Sequence, residues 1–218
     1  MQRRIRARFG IISTVAISAA LLMFSAAPVL ATTATPTCRA SLVRIQGKGI
    51  FSGVFFEPIV TGGQPCTASS NGLVNPLTLP FGLGSVRILT GTTSVAGTGN
   101  HPTSTAEVVG LVITAPGLPT ITASVLRSTA SAGACQGNPP APALSGSSEL
   151  VGLTIGGTAV DVGTTPITIP LGPAGTLYLN RTLTSGGTVT QRALELNTPL
   201  ANVVVAEAQA GFIGNPCA

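Results

Sequence analysis

Tryptophan is missing from this 218-residue chain, and tyrosine, histidine, lysine and aspartate each occur once, as Tyr178, His101, Lys48 and Asp161. Each scarcity removes a class of chemistry. A serine or cysteine hydrolase needs a base beside its nucleophile and a third group to orient that base. The one histidine lies in the turn-rich Gly97-Thr98-Gly99-Asn100-His101-Pro102, where an exposed turn residue is expected. No G-x-S-x-G elbow is present. Calcium asks for several grouped oxygen ligands, and one aspartate does not supply them. Zinc asks for closely spaced ligands, whereas the nearest cysteines are 28 positions apart. Gly47-Lys48-Gly49 lacks the G-x-x-x-x-G-K-[ST] frame of a phosphate-binding loop. Carboxylate pairs for glycoside hydrolysis remain formally available in Glu107 with Glu149, or in Glu195 with Glu207. Without aromatic platforms for a sugar, strand carboxylates on a wet face are the simpler reading. The sequence therefore assigns no catalytic residue, no cofactor-binding residue and no metal ligand, and predicts a chain that is not an enzyme.

Charge is scarce too, and half-illusory. The formal +5 includes Arg3, Arg4, Arg6 and Arg8, which precede an apolar run from Phe9 to Phe24 and the small-residue exit Val29-Leu30-Ala31. A basic start, a short apolar centre and an A-x-A-like end describe a secretory signal peptide, residues 1–31, with cleavage between Ala31 and Thr32. The run is shorter than the roughly twenty residues a membrane-spanning helix needs, so no stable membrane insertion is expected after processing. Removing the leader leaves seven bases against six acids, a charge of +1 without a cationic cluster. Nucleic acid is excluded as a partner on that ground.

What the chain has in quantity is Gly, Pro, Ser, Thr and Val, in period-2 runs bounded by turn residues. That is the signature of strands. Ser41–Gln46, the turn Gly47-Lys48-Gly49 and Ile50–Val60 read as a hairpin. Thr122–Ala132 alternates, with Thr122, Ser124, Leu126 and Ser128 on one side and Ala123, Val125 and Arg127 on the other. Asn202–Ala210 does the same, grouping Val204, Ala206, Ala208 and Ala210. Such strands suit antiparallel sheets with one packed and one partly wet face. Gln136–Pro142, with three prolines, reads as a loop or short linker between two halves.

The halves echo one another. Pro76-Leu77-Thr78-Leu79-Pro80-Phe81-Gly82 matches Pro166-Ile167-Thr168-Ile169-Pro170-Leu171-Gly172, and Gly84-Ser85-Val86-Arg87-Ile88 matches Gly175-Thr176-Leu177-Tyr178-Leu179. Each copy runs on to a cysteine. The expectation is one all-β domain, residues 32–218, built as an antiparallel β-sandwich from a duplicated unit. An even cysteine count in an exported chain favours disulfides. Four cysteines allow three pairings. The duplicated-unit reading favours Cys135–Cys217, tying the ends of equivalent strands, which leaves Cys38–Cys66 to close the N-terminal hairpin.

The stretch Ser147-Ser148-Glu149-Leu150-Val151-Gly152-Leu153-Thr154-Ile155-Gly156-Gly157, then Thr168–Asn180, Arg192-Ala193-Leu194-Glu195-Leu196 and Val203–Ala208, resembles the choice-of-anchor P group of bacterial exported proteins. The likeness covers about residues 104–217. It implies an extracellular β-rich domain of unknown role, often tethered by a C-terminal anchor, and carries over no catalytic residues. This chain ends at Asn215-Pro216-Cys217-Ala218 without a sorting motif or hydrophobic tail, so a freely secreted product is expected. The leading functional expectation is a non-enzymatic secreted or cell-surface structural or adhesion module with an extracellular partner. The alternative is a small-ligand or glycan-binding module using a cleft between the halves, and a carboxylate-dependent hydrolase is the remote third. Mass spectrometry of the exported protein should find Thr32 at the N-terminus and a mass that rises on reduction. A retained leader or four free thiols would remove the basis for an extracellular placement.

Overall fold

The computed structural model describes residues 34–73, 76–96, 101–115 and 117–217, and strands carry nearly all of their regular structure. The expected leader and its cut between Ala31 and Thr32 lie outside the described residues. In chain order the strands begin with β1 (Thr35–Gly47), β2 (Phe55–Phe56), β3 (Val60–Gly63), β4 (Ser69–Leu73), β5 (Leu77–Leu79) and β6 (Gly84–Val86). They continue with β7 (Ile88–Ala96), β8 (His101–Ile113), β9 (Ile121–Gln136), β10 (Ala141–Val151), β11 (Thr154–Ile155) and β12 (Thr158–Ala159). The last four are β13 (Ile167–Pro170), β14 (Thr176–Ser185), β15 (Thr188–Asn197) and β16 (Ala201–Ile213).

These strands form two antiparallel sheets packed together, the β-sandwich that the alternation predicts. One sheet runs β13-β14-β15-β16-β1-β2, with β3 also on β1; the other runs β12-β11-β9-β8-β6-β5, with β10 on β9, β7 on β8 and β4 on β7. Each sheet is thus built around a meander, β13 to β16 in one and β5 to β9 in the other. The strand that leads into each meander pairs with the last strand of the other half or its hairpin: β1 joins β16, and β10 joins β9.

The echoed segments have the same geometry. A short strand is followed by a 3₁₀ turn, Pro80–Gly82 in one copy and Gly172–Ala174 in the other, and then by a glycine that opens the next strand. Gly84 has φ +114° and Gly175 φ +133°, values that disfavour any residue with a side chain. A Cβ at Gly84 would fall 2.0 Å from the Val112 carbonyl oxygen, and one at Gly175 would fall 2.2 Å from that of Asn197. The turn works in both places because nothing projects between the two backbones.

Two boundaries differ from the sequence reading. The strand after Gly47 does not resume at Ile50; a 3₁₀ turn over Gly49–Phe51 intervenes and pairing restarts at Phe55. Gln136–Pro142 is not a linker: β9 extends to Gln136, β10 begins at Ala141, and the pair closes as a tight hairpin within one sheet. Cys135 and Cys217 are disulfide-bonded, joining the end of β9 to the chain just past β16 and so one sheet to the other. Cys38 and Cys66 form the second bridge, tying β1 to the segment beyond β3.

The alternation itself changes phase. In β16, Val203 and Val205 face the opposite sheet, but past Ala206 (φ +53°) the inward residues are Ala208, Ala210 and Phe212. In β15 the buried set passes from Val189, Gln191 and Ala193 to Leu194 and Leu196, and in β1 from Ala40 and Leu42 to Val43 and Ile45. The ladder skips Asn180–Ala193, Ala193–Ala206 and Ala206–Leu42, which form one row across the sheet. The second sheet does the same at Gly110 (φ +69°) and Ser124, so that Leu111 and Ile113 are buried in β8, and Ile121 and Ala123 in β9. The expected faces of Thr122–Ala132 and Asn202–Ala210 therefore hold only on one side of this row. Thr122 and Ser124 lie opposite to Leu126, and Val204 opposite to Ala208.

The row divides the interior. On one side lie large side chains, among them Ile45, Leu111, Ile113, Leu177 and Leu194; on the other a small-residue cluster of Ala130, Ala132, Ala208 and Ala210 with Val189 and Phe212. A polar seam lies near the change of phase and crosses between the sheets. Ser128 Oγ donates to the Ala206 carbonyl at 2.7 Å, and Gln191 Nε2 donates to Ser148 Oγ and Asn180 Oδ1, each at 2.7 Å. Buried polar groups are tolerated when bonded in this way. Gly84→Ala and Gly175→Ala should each lower stability by at least about 2 kcal/mol. Gly186→Ala, at φ +55° with open space around it, should cost about half as much. Equal shifts in denaturant midpoint for all three would contradict the close-approach argument.

Candidate functional site: an apolar cleft at one end of the sandwich

The large-residue end of the interior opens to a cleft of about 680 Å3. It is bounded by the equivalent turns of the two halves. Phe81 and Leu83 come from the first echoed turn, Pro173 and Ala174 from the second; Ala115 and Leu118 follow β8, while Thr198 to Ala201 link β15 to β16. The remaining wall is the 3₁₀ turn after β1, which brings Phe51 to Phe81 with ring centroids 4.7 Å apart. This edge-tilted contact crosses from one sheet's loops to the other's.

The lining is almost wholly apolar. Thr198 is its hydroxyl-bearing member, and that Oγ1 is engaged by donating to the Ala201 carbonyl and accepting from the Leu200 and Ala201 amides. Two lining side chains are wet, Leu200 at 53 % exposed and Phe81 at 38 %, and Ile50, next to Phe51 in the chain, is 86 % exposed. Large side chains are rare in turns unless something uses them. Lys48 joins the lip segments. Its amide donates to the Leu200 carbonyl at 2.7 Å, its carbonyl accepts from the Phe51 amide at 2.9 Å, and its ammonium is held by Asn197 Oδ1.

The carboxylates that the sequence singled out lie elsewhere. Glu107 on β8 and Glu149 on β10 flank Arg127 on β9, which donates through Nε to Glu107 at 2.7 Å and through a terminal nitrogen to Glu149 at 3.3 Å. Glu149 is exposed and Glu107 half-buried; both are partners of one arginine on a strand face, and neither lines the cleft. Glu195 and Glu207 do share a hairpin, on the outer face of the other sheet, inside a ladder of arginines. Glu207 accepts from Arg44 at 2.6 Å, Arg192 at 2.6 Å and Arg39 at 3.2 Å, and Arg39 also pairs with Glu57. Glu195 accepts from Arg181 at 2.8 Å and Arg192 at 2.9 Å. Arg181 in turn lies 4.8 Å from the ring centroid of Tyr178. His101 is the first residue of β8, paired with Ala96, instead of a loop residue. Its ring is exposed.

Among the described residues no group of three His, Cys, Asp or Glu is placed to hold a metal ion, and no helix is long and apolar enough to cross a membrane. The sequence reading did not single out Phe51, Phe81, Leu118 or Leu200. The signal was present in Ile50-Phe51, Phe55-Phe56 and Pro199-Leu200, apolar pairs set between turn residues where polar ones are usual. Comparison with protein-family models, with curated proteins and with solved structures found no match.

Burial alone pushes the Glu195 carboxyl up, but hydrogen bonds and charge from Arg192, then from Arg181, outweigh it and hold the group below the ordinary carboxylate range. A folded value below the unfolded one gives stability that is present above the unfolded pKa and is lost as pH falls through the folded one. Glu195→Gln should therefore cost about 2–4 kcal/mol at neutral pH, with the gap from wild type closing below about pH 4. A gap that persists unchanged in acid would show that shape, not charge, is what Glu195 supplies.

Proposed function

We propose that this protein is a non-enzymatic, secreted β-sandwich that binds an apolar ligand in the cleft at the large-residue end. The observation that carries the reading is the cleft itself: its volume lies within the roughly 300–1,000 Å3 of small-ligand sites, its lining holds no charge, and Phe81 and Leu200 of that lining are exposed. A flat sandwich would favour the structural or adhesion role that leads on sequence grounds. The cleft favours the ligand-binding alternative, and its apolar lining favours hydrocarbon over sugar. The glutamates are spoken for by arginines, which leaves hydrolysis without a free acid–base pair. Secretion rests on the leader-like residues 1–31; the two disulfides agree with an oxidising compartment. The likeness to the choice-of-anchor P group supports the same placement.

An apolar fluorescent probe should bind the processed protein with one site per chain. Replacing Leu118 and Leu200 by Ser together should weaken it at least about tenfold, while the Cys135–Cys217 end and the thermal midpoint of the sandwich change little. Failure of the wild type to bind any apolar probe, or undiminished binding by the double variant, would refute the assignment.

A further inference from the structure

The phase change that divides the interior also marks the outer faces, and the two sheets fill it differently. On the sheet of β13 to β16 the row at Ala193 and Ala206 is covered by paired charge. Arg192, just before Ala193, donates to Glu207, just after Ala206, and to Glu195, two residues past Ala193. Arg181 brings Glu195 a second guanidinium at 2.8 Å. On the other sheet the same places, counted from Gly110 and Ser124, hold Val109, Val125 and Val112. None of these carries charge. The short side chains leave a hollow of about 480 Å3, lined by Arg87 and by residues 109–112 and 122–124. It shares no lining residue with the apolar cleft.

One cation stands in this hollow. The Arg87 amide donates to the Val109 carbonyl at 3.1 Å, which fixes the residue beside Gly110. Its side chain lies across that glycine: a Cβ at Gly110 would fall 2.7 Å from Arg87 Nε and 3.2 Å from Arg87 Cβ. Among the described residues Arg87 has no ion pair, whereas Arg39, Arg44, Arg127, Arg181 and Arg192 each have one or more. Ser124 lines the side formed by β9, and its hydroxyl has no hydrogen-bond partner among the described residues. Val109 and Val112 are half-buried walls between them.

We infer that the hollow binds a small carboxylate with a short apolar body, whose carboxylate takes the place that Glu195 fills on the opposite sheet. The planar guanidinium offers a fork that matches a carboxylate, the Ser124 hydroxyl is a second donor, and the two valines receive the body. A single guanidinium balances one negative charge, which favours a monoanion over a dianion. The volume lies within the range of small-ligand sites.

The experiment is a titration of the processed, disulfide-bonded protein with sodium butyrate at constant ionic strength, followed by amide proton–nitrogen correlation spectra. Butyramide, butylammonium and glucuronate are run beside it. Butyrate should shift the amides of Gly110, Val112 and Ser124 and saturate with a Kd on the order of millimolar, as suits a site that is open to water. Butyramide and butylammonium should not saturate. Arg87→Gln should weaken butyrate at least about fivefold without moving the thermal midpoint, since the side chain is exposed. Val112→Glu should abolish binding by supplying the carboxylate from within the chain, and Val112→Gln, of equal size, should weaken it less. Glucuronate should bind more weakly than butyrate; the reverse order would give the site to a sugar acid and overturn the short apolar body. Saturation by butyramide at the same concentrations, butyrate shifts confined to other parts of the protein, or unchanged affinity in Arg87→Gln would overturn the site itself.

Discussion

A phase change shared by neighbouring strands constrains most of this structure. One strand that takes an extra step would lose its ladder or turn its side chains the wrong way, because the side-chain period is two. Here the neighbours take the step in the same row, through Asn180, Ala193, Ala206 and Leu42 in one sheet and through Gly110 and Ser124 in the other. Pairing on either side keeps its register. The step needs positive φ at some strands, at Gly110, Asn180 and Ala206. For Asn180 the strain is offset locally, since its side chain bonds Gln191 Nε2 and the Thr164 carbonyl. Ala206 has no such side chain; its carbonyl receives Ser128 from the other sheet instead.

The row lets one sandwich carry two interiors. Below it, Ala130, Ala132, Ala208 and Ala210 face one another, and the Cys135–Cys217 bridge ties the sheets just beyond. Above it, leucines, isoleucines and valines fill the gap until the turns take over. Small side chains let sheets approach, and large ones hold them apart. A cleft at the large-residue end, opposite the disulfide, is what that gradient in size produces. Outside, the arginines of β1, β14 and β15 cover Glu195 on β15 and Glu207 on β16 so completely that both are nearly buried on what would otherwise be a wet face. Ion pairs of this kind add little net stability over apolar packing, but losing one partner is costly. The network therefore acts as a guard on register: slipping β16 by one residue would turn Glu207 into the apolar interior.

The class of fold was legible because the alternation extends over many residues and turn chemistry brackets it. Helix was excluded by the same pattern. What the pattern concealed was the phase. In Thr122–Ala132 and Asn202–Ala210 a strict period of two passes through Ser124 and Ala206 without any mark, because both are small enough to read as either face. Gly110 and Gly152 were better clues: Glu107-Val108-Val109-Gly110-Leu111 resembles Glu149-Leu150-Val151-Gly152-Leu153, and both glycines, each following an apolar pair, have positive φ. The strand Ile50–Val60 was misjudged for a related reason. Its apolar residues satisfy a strand pattern, yet Ile50, Val54 and Phe55 face solvent, so burial is not what selects them.

The repeated plan explains where the cleft sits and why it is not symmetric. Two copies of a strand, 3₁₀ turn and glycine bring Phe81 and Leu83 opposite Pro173 and Ala174, so the floor is made of equivalent pieces. A site built only from these would be shallow. The chain after β1 adds what neither copy has, a lip carrying Phe51 and the chain's one lysine, held to the β15–β16 turn by the Lys48 amide. Gly47 permits it, since a Cβ there would fall 2.0 Å from the Phe51 carbonyl oxygen. The lip has no counterpart at the other copy. What distinguishes this cleft from a gap between two turns is therefore a wall, Phe51 among it, that lies outside the echo and can vary with little disturbance to the sandwich.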